Sequence, residues 1–274
     1  MPRITQRTRI LKLTADGGAR RAEDAVAGEE PLEIRIGGRS FSVTMRTPGN
    51  DFDLVAGFLV SEGVVSHADH LPAMIVCAGD EPGASSYNVI DVTLGPGAVP
   101  PDPTMERHVY TTSSCGICGT ASIEAVRKAS AHPLPESRTP IGREVLLALP
   151  ARLRRAQPLF ERTGGVHAAG LFDAAGELLC LREDVGRHNA VDKVVGWALR
   201  ENRLPLTDTI LQVSGRASFE LVQKCVMAGI PAMAAVGAPS SLAVELAKDS
   251  GLLLAAFSRG ETINIYAGTR HVEV

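Results

Sequence analysis

The sequence predicts an α/β protein in two unequal parts, a smaller α+β N-terminal subdomain at residues 29–105 and a larger α/β domain at residues 106–274. After Pro205, short apolar runs alternate with helix-like runs, which is the pattern of right-handed β-α-β units in a parallel sheet. Ahead of that region lies GPGAVPPDP at residues 95–103, which has the Pro and Gly content of a linker. We therefore place the boundary between the two parts at this linker.

Signals for individual elements in the N-terminal part are weak at first and then clear. Residues 1–28 are polar and Arg-rich, so we expect a flexible arm that contributes one strand, at residues 9–13. PLEIRIGGRSFSVTMRT alternates apolar and polar side chains on both sides of Gly37-Gly38, which predicts a β-hairpin. DFDLVAGFLVSEG has the apolar spacing of a helix, and the runs MIVCA and YNVIDVTL predict two further strands.

The elements of the larger part are predicted from residue 167 onward. HAAGLFD and GELLCLRE predict a second hairpin, in which His167 is expected to be a satisfied core histidine. RHNAVDKVVGWALREN predicts an amphipathic helix, with Asp192 and Lys193 on its solvated face. TILQV, AMAAV and LLLAAF then predict strands, separated by the helices SFELVQKCVMA and LAVELAKDS.

Composition restricts the class of protein. The chain has 274 residues, of which 45% are hydrophobic, so a buried core is easily supplied. A net charge of −3 argues against binding to nucleic acid or to an anionic membrane, since such binding needs a concentrated basic surface. The N-terminus lacks the apolar segment of a signal peptide and no apolar run could span a bilayer, so we expect a cytoplasmic protein.

The five cysteines do not indicate a disulfide-stabilised fold. Their number is odd, and Cys77, Cys180 and Cys225 each stand alone in apolar surroundings, where a small buried side chain is the expected role. The other two, Cys115 and Cys118, form a C-x-x-C pair inside SSCGICG. This pair is the strongest candidate for chemistry.

Several kinds of site use a C-x-x-C pair. A structural zinc site needs four ligands, and no second C-x-x-C or H-x3-5-H pair is present, so we expect no metal. A thioredoxin-like dithiol would have a Trp before the first cysteine, which is missing here. A zinc deaminase would have H-x-E where this chain has His167-Ala168-Ala169. A persulfide carrier needs an activated thiolate in a loop between glycines, as the sequence offers.

Three loops are expected to meet at one edge of the predicted parallel sheet: SGR at 214–216, GAPSS at 237–241 and SRG at 258–260. In open α/β sheets, ligands bind outside the carboxyl ends of the strands. Helix N-termini there favour anions, and Arg216 and Arg259 would add positive charge. The sequence therefore predicts an anion site, with phosphate as the natural ligand.

The stretches SSCGICG, GGVHAAGLFD, EDVGRHNAVDK and SGRASFELVQK together resemble the FdhD family of formate dehydrogenase accessory sulfurtransferases, over nearly the whole chain. The resemblance implies that the larger domain is a three-layer sandwich similar to cytidine deaminases and that the protein is a homodimer. It also implies that persulfide sulfur passes from a cysteine desulfurase to the molybdenum bis(molybdopterin guanine dinucleotide) cofactor needed by formate dehydrogenase. That cofactor is then a bound substrate, and a free guanine nucleotide is its partial mimic.

The resemblance also implies roles for individual residues. Cys115 matches the persulfide-bearing cysteine, and Cys118 matches the second cysteine of the pair. The family's nucleotide-binding segment matches six consecutive residues, Phe257, Ser258, Arg259, Gly260, Glu261 and Thr262. Outside that segment, Arg216 is a candidate phosphate ligand, and His188 at a helix start is expected to cap the helix, bind phosphate or contact the cofactor.

Two other functions are compatible with the same residues. In the first, the chain is a non-catalytic molybdenum-cofactor chaperone whose cysteines only hold or shield the metal. In the second, the cysteine pair is the redox centre of a dithiol oxidoreductase. Sulfur bound covalently to Cys115 distinguishes the carrier from both.

Overall fold

The structure is a computed structural model that describes residues 3–77, 87–101, 130–136 and 139–273. Cys115 and Cys118 lie outside these ranges, as does residue 105, at which the sequence divides the two parts. Within them, the chain is a mixed α/β protein with six α-helices and four separate sheets. No helix in the described ranges combines the length and the apolar character needed to cross a bilayer.

The N-terminal part contains, in chain order, β1 (Thr5–Leu13), β2 (Ala19–Ala27), β3 (Glu30–Ile36), β4 (Arg39–Arg46), α1 (Asp51–Ser61), β5 (Ala73–Val76) and β6 (Val89–Thr93). The last four strands form one sheet in the order β4-β3-β6-β5. The predicted hairpin at Gly37-Gly38 is confirmed as β3 and β4. Both glycines have positive φ, 57° and 79°, as a two-residue hairpin turn requires.

The first residues of the chain form more regular structure than the sequence predicts. β1 and β2 pair along their whole length as an antiparallel hairpin, whereas the sequence indicates a single strand at residues 9–13. Alternation does not signal this hairpin because most side chains on both of its faces are exposed, so neither face has to be apolar.

The larger part contains β7 (Ile141–Gly142), α2 (Arg143–Arg155), α3 (Pro158–Thr163), β8 (His167–Asp173), β9 (Leu178–Asp184), α4 (Arg187–Arg200), β10 (Thr209–Val213), α5 (Phe219–Met227), β11 (Ala232–Ala235), α6 (Ser241–Asp249), β12 (Leu253–Arg259), β13 (Thr262–Ala267) and β14 (Val272–Glu273). Its main sheet has the order β13-β12-β11-β10-β8-β9. β10, β11 and β12 are parallel, as predicted. β8, β9 and β13 make the sheet mixed, because each pairs antiparallel with its neighbour.

Helices cover both faces of the main sheet. On one face, Leu146, Leu149 and Leu153 of α2 pack with sheet residues that include Phe172 and Ile210. On the other face, residues of α4, α5 and α6 pack with the opposite side chains of the same strands. The larger part is therefore three layers deep, while its likeness to cytidine deaminases stays a prediction.

One apolar core joins the two parts of the chain. Leu32, Ile34 and Ile90 of the small sheet belong to the same buried cluster as Val191 and Val195 of α4. Helix α1 lies between them and packs along α4. The small sheet is thus fixed to the main sheet through two helices in contact.

Candidate functional site

The carboxyl ends of the parallel strands form a continuous row of backbone. The amide of Gly237, after β11, donates to the carbonyl of Gly215, after β10, at 2.9 Å. The amide of Phe257 in β12 donates to the carbonyl of Gly237 at 3.1 Å. The structure therefore brings together the loops that the sequence predicts to meet, and we call this row the carboxyl edge.

The carboxyl edge continues into the antiparallel strands. Because β8 runs opposite to β10, β8 begins where β10 ends, and a Cβ on Gly215 would lie 3.5 Å from Nδ1 of His167. The first residue of β8, His167, is paired with the last residue of β9, Asp184. An imidazole and a carboxylate thus lie beside the two glycine loops.

Three helices begin at the carboxyl edge. Helix α4 follows Asp184 and Gly186, α5 follows Ser218, and α6 follows Ser240. Ser240 caps α6 through its hydroxyl, which accepts from the amide of Ala243 at 3.3 Å, while Ser218 makes no side-chain cap hydrogen bond. The free amides and the dipoles of helices α4, α5 and α6 give this edge a positive potential that favours anions.

The segment from Phe257 to Thr262 is not the loop that the sequence predicts at SRG. Ser258 and Arg259 belong to β12, and Arg259 pairs with Thr262 of β13, so only Gly260 and Glu261 form the turn. The difference arises because β13 continues the pairing past the end of the parallel strands. SRG is therefore the tip of a hairpin at the carboxyl edge.

A bulge in β12 directs the side chains of this segment. The register shifts between Ala256 and Arg259, and Phe257 has φ 53°, a left-handed conformation that a bulky residue adopts only under constraint. Ser258 is fully buried, whereas Arg259 is exposed, with its guanidinium 5.3 Å from the ring centroid of Phe257. Arg216 is exposed as well. Both predicted arginines are thus accessible to a ligand.

Several polar atoms at this edge are buried and have no hydrogen-bond partner among the described residues. They are the hydroxyl of Ser258, Nδ1 of His188 and Nε of Arg187. A buried polar atom without a partner costs about 1–3 kcal/mol. A polar ligand at the carboxyl edge would satisfy such groups.

His188 does not cap α4 as one of the predictions expected. Its side chain is 3% exposed, and Nε2 lies 2.6 Å from the Glu220 carboxylate in the first turn of α5. The hydroxyl of Ser218 lies 3.5 Å from the same nitrogen. His188 therefore joins the starts of α4 and α5, with Nδ1 left for a further contact.

The electrostatics of His167 and Asp184 follow from burial and from their neighbours. Burial lowers the pKa of His167, and the charges of Arg187 and His188 lower this pKa further, so the imidazole is neutral at neutral pH. His167 is half-buried at the edge and is not the fully buried core histidine expected from the sequence. Burial raises the pKa of Asp184, while the Lys193 ammonium at 2.7 Å opposes this effect.

The prediction that Asp192 and Lys193 lie on a solvated face is wrong. They are 2% and 1% exposed, because α4 lies between α1 and the main sheet. Asp192 pairs with Lys224 of α5 at 2.6 Å, and Lys193 donates to the carbonyl of Thr47 at 2.8 Å in addition to its pair with Asp184. These charges hold the elements together and are not available to a ligand.

Two of the three cysteines inside the described ranges are not suited to nucleophilic chemistry. Cys180 and Cys225 are buried, as predicted, and Cys77 is half-buried. Burial raises the pKa of Cys180 to about 11 and also raises that of Cys225, so both stay as thiols at neutral pH. Among the described residues, no group of His, Cys, Asp and Glu could hold a metal ion.

The residues that flank the cysteine pair in the chain are fixed to the protein near the ends of α1 and α5. On the N-terminal side, the amide of Val99 donates to the carbonyl of Val64 at 2.9 Å. On the C-terminal side, His132 Nε2 lies 2.9 Å from the carbonyl of Ser66, and the Ser130 hydroxyl donates to the carbonyl of Val226 at 2.9 Å. Val226 is six residues after Glu220, about 9 Å along α5 from the carboxyl edge.

These features describe an α/β protein in which three helix starts, exposed arginines and unpaired buried polar atoms surround one sheet edge. The sequence profile of the FdhD/NarQ family matches residues 27–273, so the chain belongs to this family. The resemblance to FdhD proteins that the motifs indicated is therefore confirmed.

Relatives named sulfur carrier protein FdhD match nearly the whole chain. Identity is 56% to the protein of Streptomyces avermitilis, over 99% of this chain and 97% of that one. It is 53% to the protein of Mycobacterium tuberculosis, over 96% of each. A crystal structure described as a formate dehydrogenase accessory protein of Desulfotalea psychrophila is similar with a TM-score of 0.76 and 26% identity, covering 99% of this chain and 100% of the other.

Proposed function

We propose that this protein is a sulfur carrier that acts through a persulfide on Cys115. The observation that carries the proposal is the match, over nearly the whole chain, to proteins named sulfur carriers, together with the SSCGICG pair. The buried thiols of Cys180 and Cys225 are poor alternatives, because burial disfavours the thiolate that must attack. We infer a cysteine desulfurase as the sulfur donor and formate dehydrogenase as the enzyme that depends on the product.

The loading step is a thiol–persulfide exchange. The Cys115 thiolate attacks the terminal sulfur of a persulfide on the desulfurase, a new S–S bond forms, and the donor cysteine leaves as a thiolate. Release of that sulfur as sulfide needs two electrons. The Cys118 thiol can supply them by attacking the inner sulfur of Cys115, which leaves a disulfide between the two cysteines. The pair is thus sufficient for both halves of the transfer.

The acceptor is a molybdenum bis(molybdopterin guanine dinucleotide) cofactor bound as a substrate with a nucleotide end at the carboxyl edge. The helix starts, Arg216 and Arg259 support the diphosphate, and the unpaired polar atoms of Ser258 and His188 support further polar contacts. The C-terminal flank of the cysteine pair, at Ser130, contacts α5 about 9 Å along the helix from this edge. About 15 residues of chain separate Cys115 from either flank, a contour length of roughly 50 Å, so covalent reach does not limit the transfer.

Mass spectrometry of the intact protein after incubation with a cysteine desulfurase and cysteine tests the carrier function. We expect the mass of one added sulfur atom, mapped to Cys115 and removed by a reductant. The Cys77→Ala protein should load to the same extent, because that cysteine has no role in the exchange. A protein that gains no sulfur, or gains it equally on all cysteines, would support a cofactor chaperone or a dithiol oxidoreductase instead.

Calorimetric titration with guanosine diphosphate tests the carboxyl edge separately. Arg259→Ala removes an exposed charge-assisted contact, worth about 1.5–3 kcal/mol, so binding should weaken roughly ten- to a hundredfold. Arg143→Ala removes an arginine that is 61% exposed at the start of α2 and is the matched control. Unchanged affinity in Arg259→Ala would exclude phosphate binding at this position. Equal affinity for adenosine diphosphate would exclude guanine specificity.

A further inference from the structure

Arg187, the first residue of α4, is a half-buried arginine without a partner. Its Nε is buried and has no hydrogen bond, and its guanidinium makes no ion pair with any residue that the structure describes. Arg46 and Arg182, which are also withdrawn from solvent, each pair with a carboxylate, at 3.0 Å and 2.8 Å. Withdrawing a charged group from water without a partner is costly, so the position of Arg187 needs a functional explanation.

The carboxylates next to the start of α4 are already engaged. Asp184, three residues before Arg187, pairs with Lys193 at 2.7 Å. Glu220, in the first turn of α5, lies 2.6 Å from Nε2 of His188. Neither carboxylate pairs with the guanidinium of Arg187, so its positive charge remains available to an anion.

The side chain of Arg187 runs past the glycine loop that follows β10. A Cβ on Gly215 would lie 3.9 Å from Cδ of Arg187 and 3.5 Å from Nδ1 of His167, so both side chains line the space beside this glycine. The amides of Gly215 and Arg216 donate to no residue in the described ranges. A guanidinium, an imidazole and two free amides thus lie around a space that any other residue at position 215 would fill.

The two imidazoles at this position fit a bound anion. Burial, and then the charges of Arg187 and His188, lower the pKa of His167, and the resulting neutral ring can still donate one hydrogen bond. The side chain of His188 is 3% exposed and its Nδ1 has no partner among the described residues. A bound anion would favour the doubly protonated form of His188, in which Nδ1 donates as well as Nε2.

We propose that Arg187, His167 and the loop at Gly215 form a second oxyanion subsite at the carboxyl edge, separate from the one at Arg259. Gly215 follows β10 and Arg259 ends β12, so two strand spacings, about 10 Å, separate the subsites. A diphosphate, in which two phosphate groups share one oxygen, is too short to occupy both. The ligand is therefore a nucleotide compound with a second anionic group beyond its diphosphate, and it lies along the edge from β12 towards β8.

The inference rests on the proposed function for the ligand at Arg259, but the second subsite can be tested by itself. The test is a titration of the full chain with inorganic phosphate at constant ionic strength, with guanosine diphosphate saturating. We expect phosphate to bind while the nucleotide stays bound, and to shift the ring signal of His167 in NMR spectra. Arg187→Ala should weaken phosphate binding about tenfold or more and leave the nucleotide affinity unchanged, because only one charge-assisted contact is lost. Arg143→Ala, at an exposed arginine of α2, is the matched control and should change neither.

Gly215→Ala tests the position of the subsite without a change of charge. Gly215 is not among the glycines with a left-handed φ, and its added methyl group would come no closer than 3.5 Å to any neighbour, so the variant should melt like the wild type. The methyl group would occupy the space between Arg187 and His167, and phosphate binding should weaken about tenfold or more. Molybdate as a second probe distinguishes the sources of the oxyanion: tighter binding than phosphate assigns the subsite to the metal end of the cofactor, and weaker binding assigns it to a further phosphate group.

Two results would overturn the proposal. One is competition, in which phosphate binds only by displacing guanosine diphosphate, since the edge would then hold a single subsite. The other is phosphate binding that both Arg187→Ala and Gly215→Ala leave unchanged. Failure of the proposed function looks different: if the nucleotide does not bind, titration of the protein alone still compares Arg187→Ala with Arg259→Ala, and persulfide loading of Cys115 depends on neither arginine.

Discussion

Cys115→Ala should lower the formate dehydrogenase activity of a strain that lacks the native protein by on the order of 10³-fold or more. The substitution removes the proposed nucleophile, and alanine cannot form the S–S bond that would carry the sulfur. The variant should still bind guanosine diphosphate at the carboxyl edge, because the nucleotide contacts proposed there do not involve this thiol. Cys118→Ala should have a milder effect, since exogenous thiols can supply the electrons that it would provide.

The matched control for this experiment is Cys77→Ala, which removes a half-buried thiol after β5. We expect it to support wild-type activity. Wild-type activity from Cys115→Ala would show that the covalent carrier mechanism is wrong, whatever the state of the nucleotide site. Comparable levels of the wild-type protein and of the three variants, measured by immunoblot, are needed for the comparison.

Gly196→Ala is expected to have the largest effect on stability, about 3 kcal/mol or more of the free energy of unfolding. Gly57 of α1 and Gly196 of α4 face each other where the helices cross, and a Cβ on Gly196 would overlap the backbone carbonyl of Asp53. Helix propensity alone favours alanine by about 1 kcal/mol. The steric overlap outweighs this gain, so the substitution lowers the free energy of unfolding. The overlapping atom belongs to the backbone and cannot rotate away.

Thermal denaturation compared with Gly165→Ala measures this effect. Gly165 is not among the glycines with a left-handed φ, and its added Cβ would come no closer than 3.7 Å to any neighbour, so that variant should stay within about 0.5 kcal/mol of the wild type. A Gly196→Ala protein with an unchanged melting temperature would mean that the two helices do not cross as closely as described.

Much of the main sheet could be predicted from the sequence, because its strands are short apolar runs between helix starts and glycines. β10, β11 and β12 and the hairpin of β8 and β9 all follow this rule. No comparable pattern in the sequence predicts helices α2 and α3. α2 contains Pro150 and many arginines, and only Leu146, Leu149 and Leu153 are buried, which is a narrow stripe.

The candidate site was predicted in outline but not in detail. The meeting of the SGR and GAPSS loops follows from parallel topology alone, whereas the position of Ser258 depends on a bulge and on pairing with β13. Nothing in the sequence marks Glu220 or Asp184 as a site residue, because a carboxylate next to a helix start is usually solvated. The spacing of His188 and Glu220 in different helices becomes meaningful only once those helices are known to run side by side.

The buried charges of α4, together with the close crossing of Gly57 and Gly196, determine which of several similar packings the helix adopts. Its apolar residues Ala190, Val191, Val194 and Val195 are small and alike, so a shift along the axis by one turn would bury a nearly equivalent surface. The ion pairs are not equivalent after such a shift: Lys193 would lose Asp184 and Asp192 would lose Lys224, each inside the protein. A broken buried pair costs about 3–5 kcal/mol, which is more than the small apolar residues could recover. EDVGRHNAVDK therefore carries the buried charges that disfavour shifted arrangements during folding, and a redesign of α4 with apolar residues alone would leave only the Gly57–Gly196 crossing to oppose them.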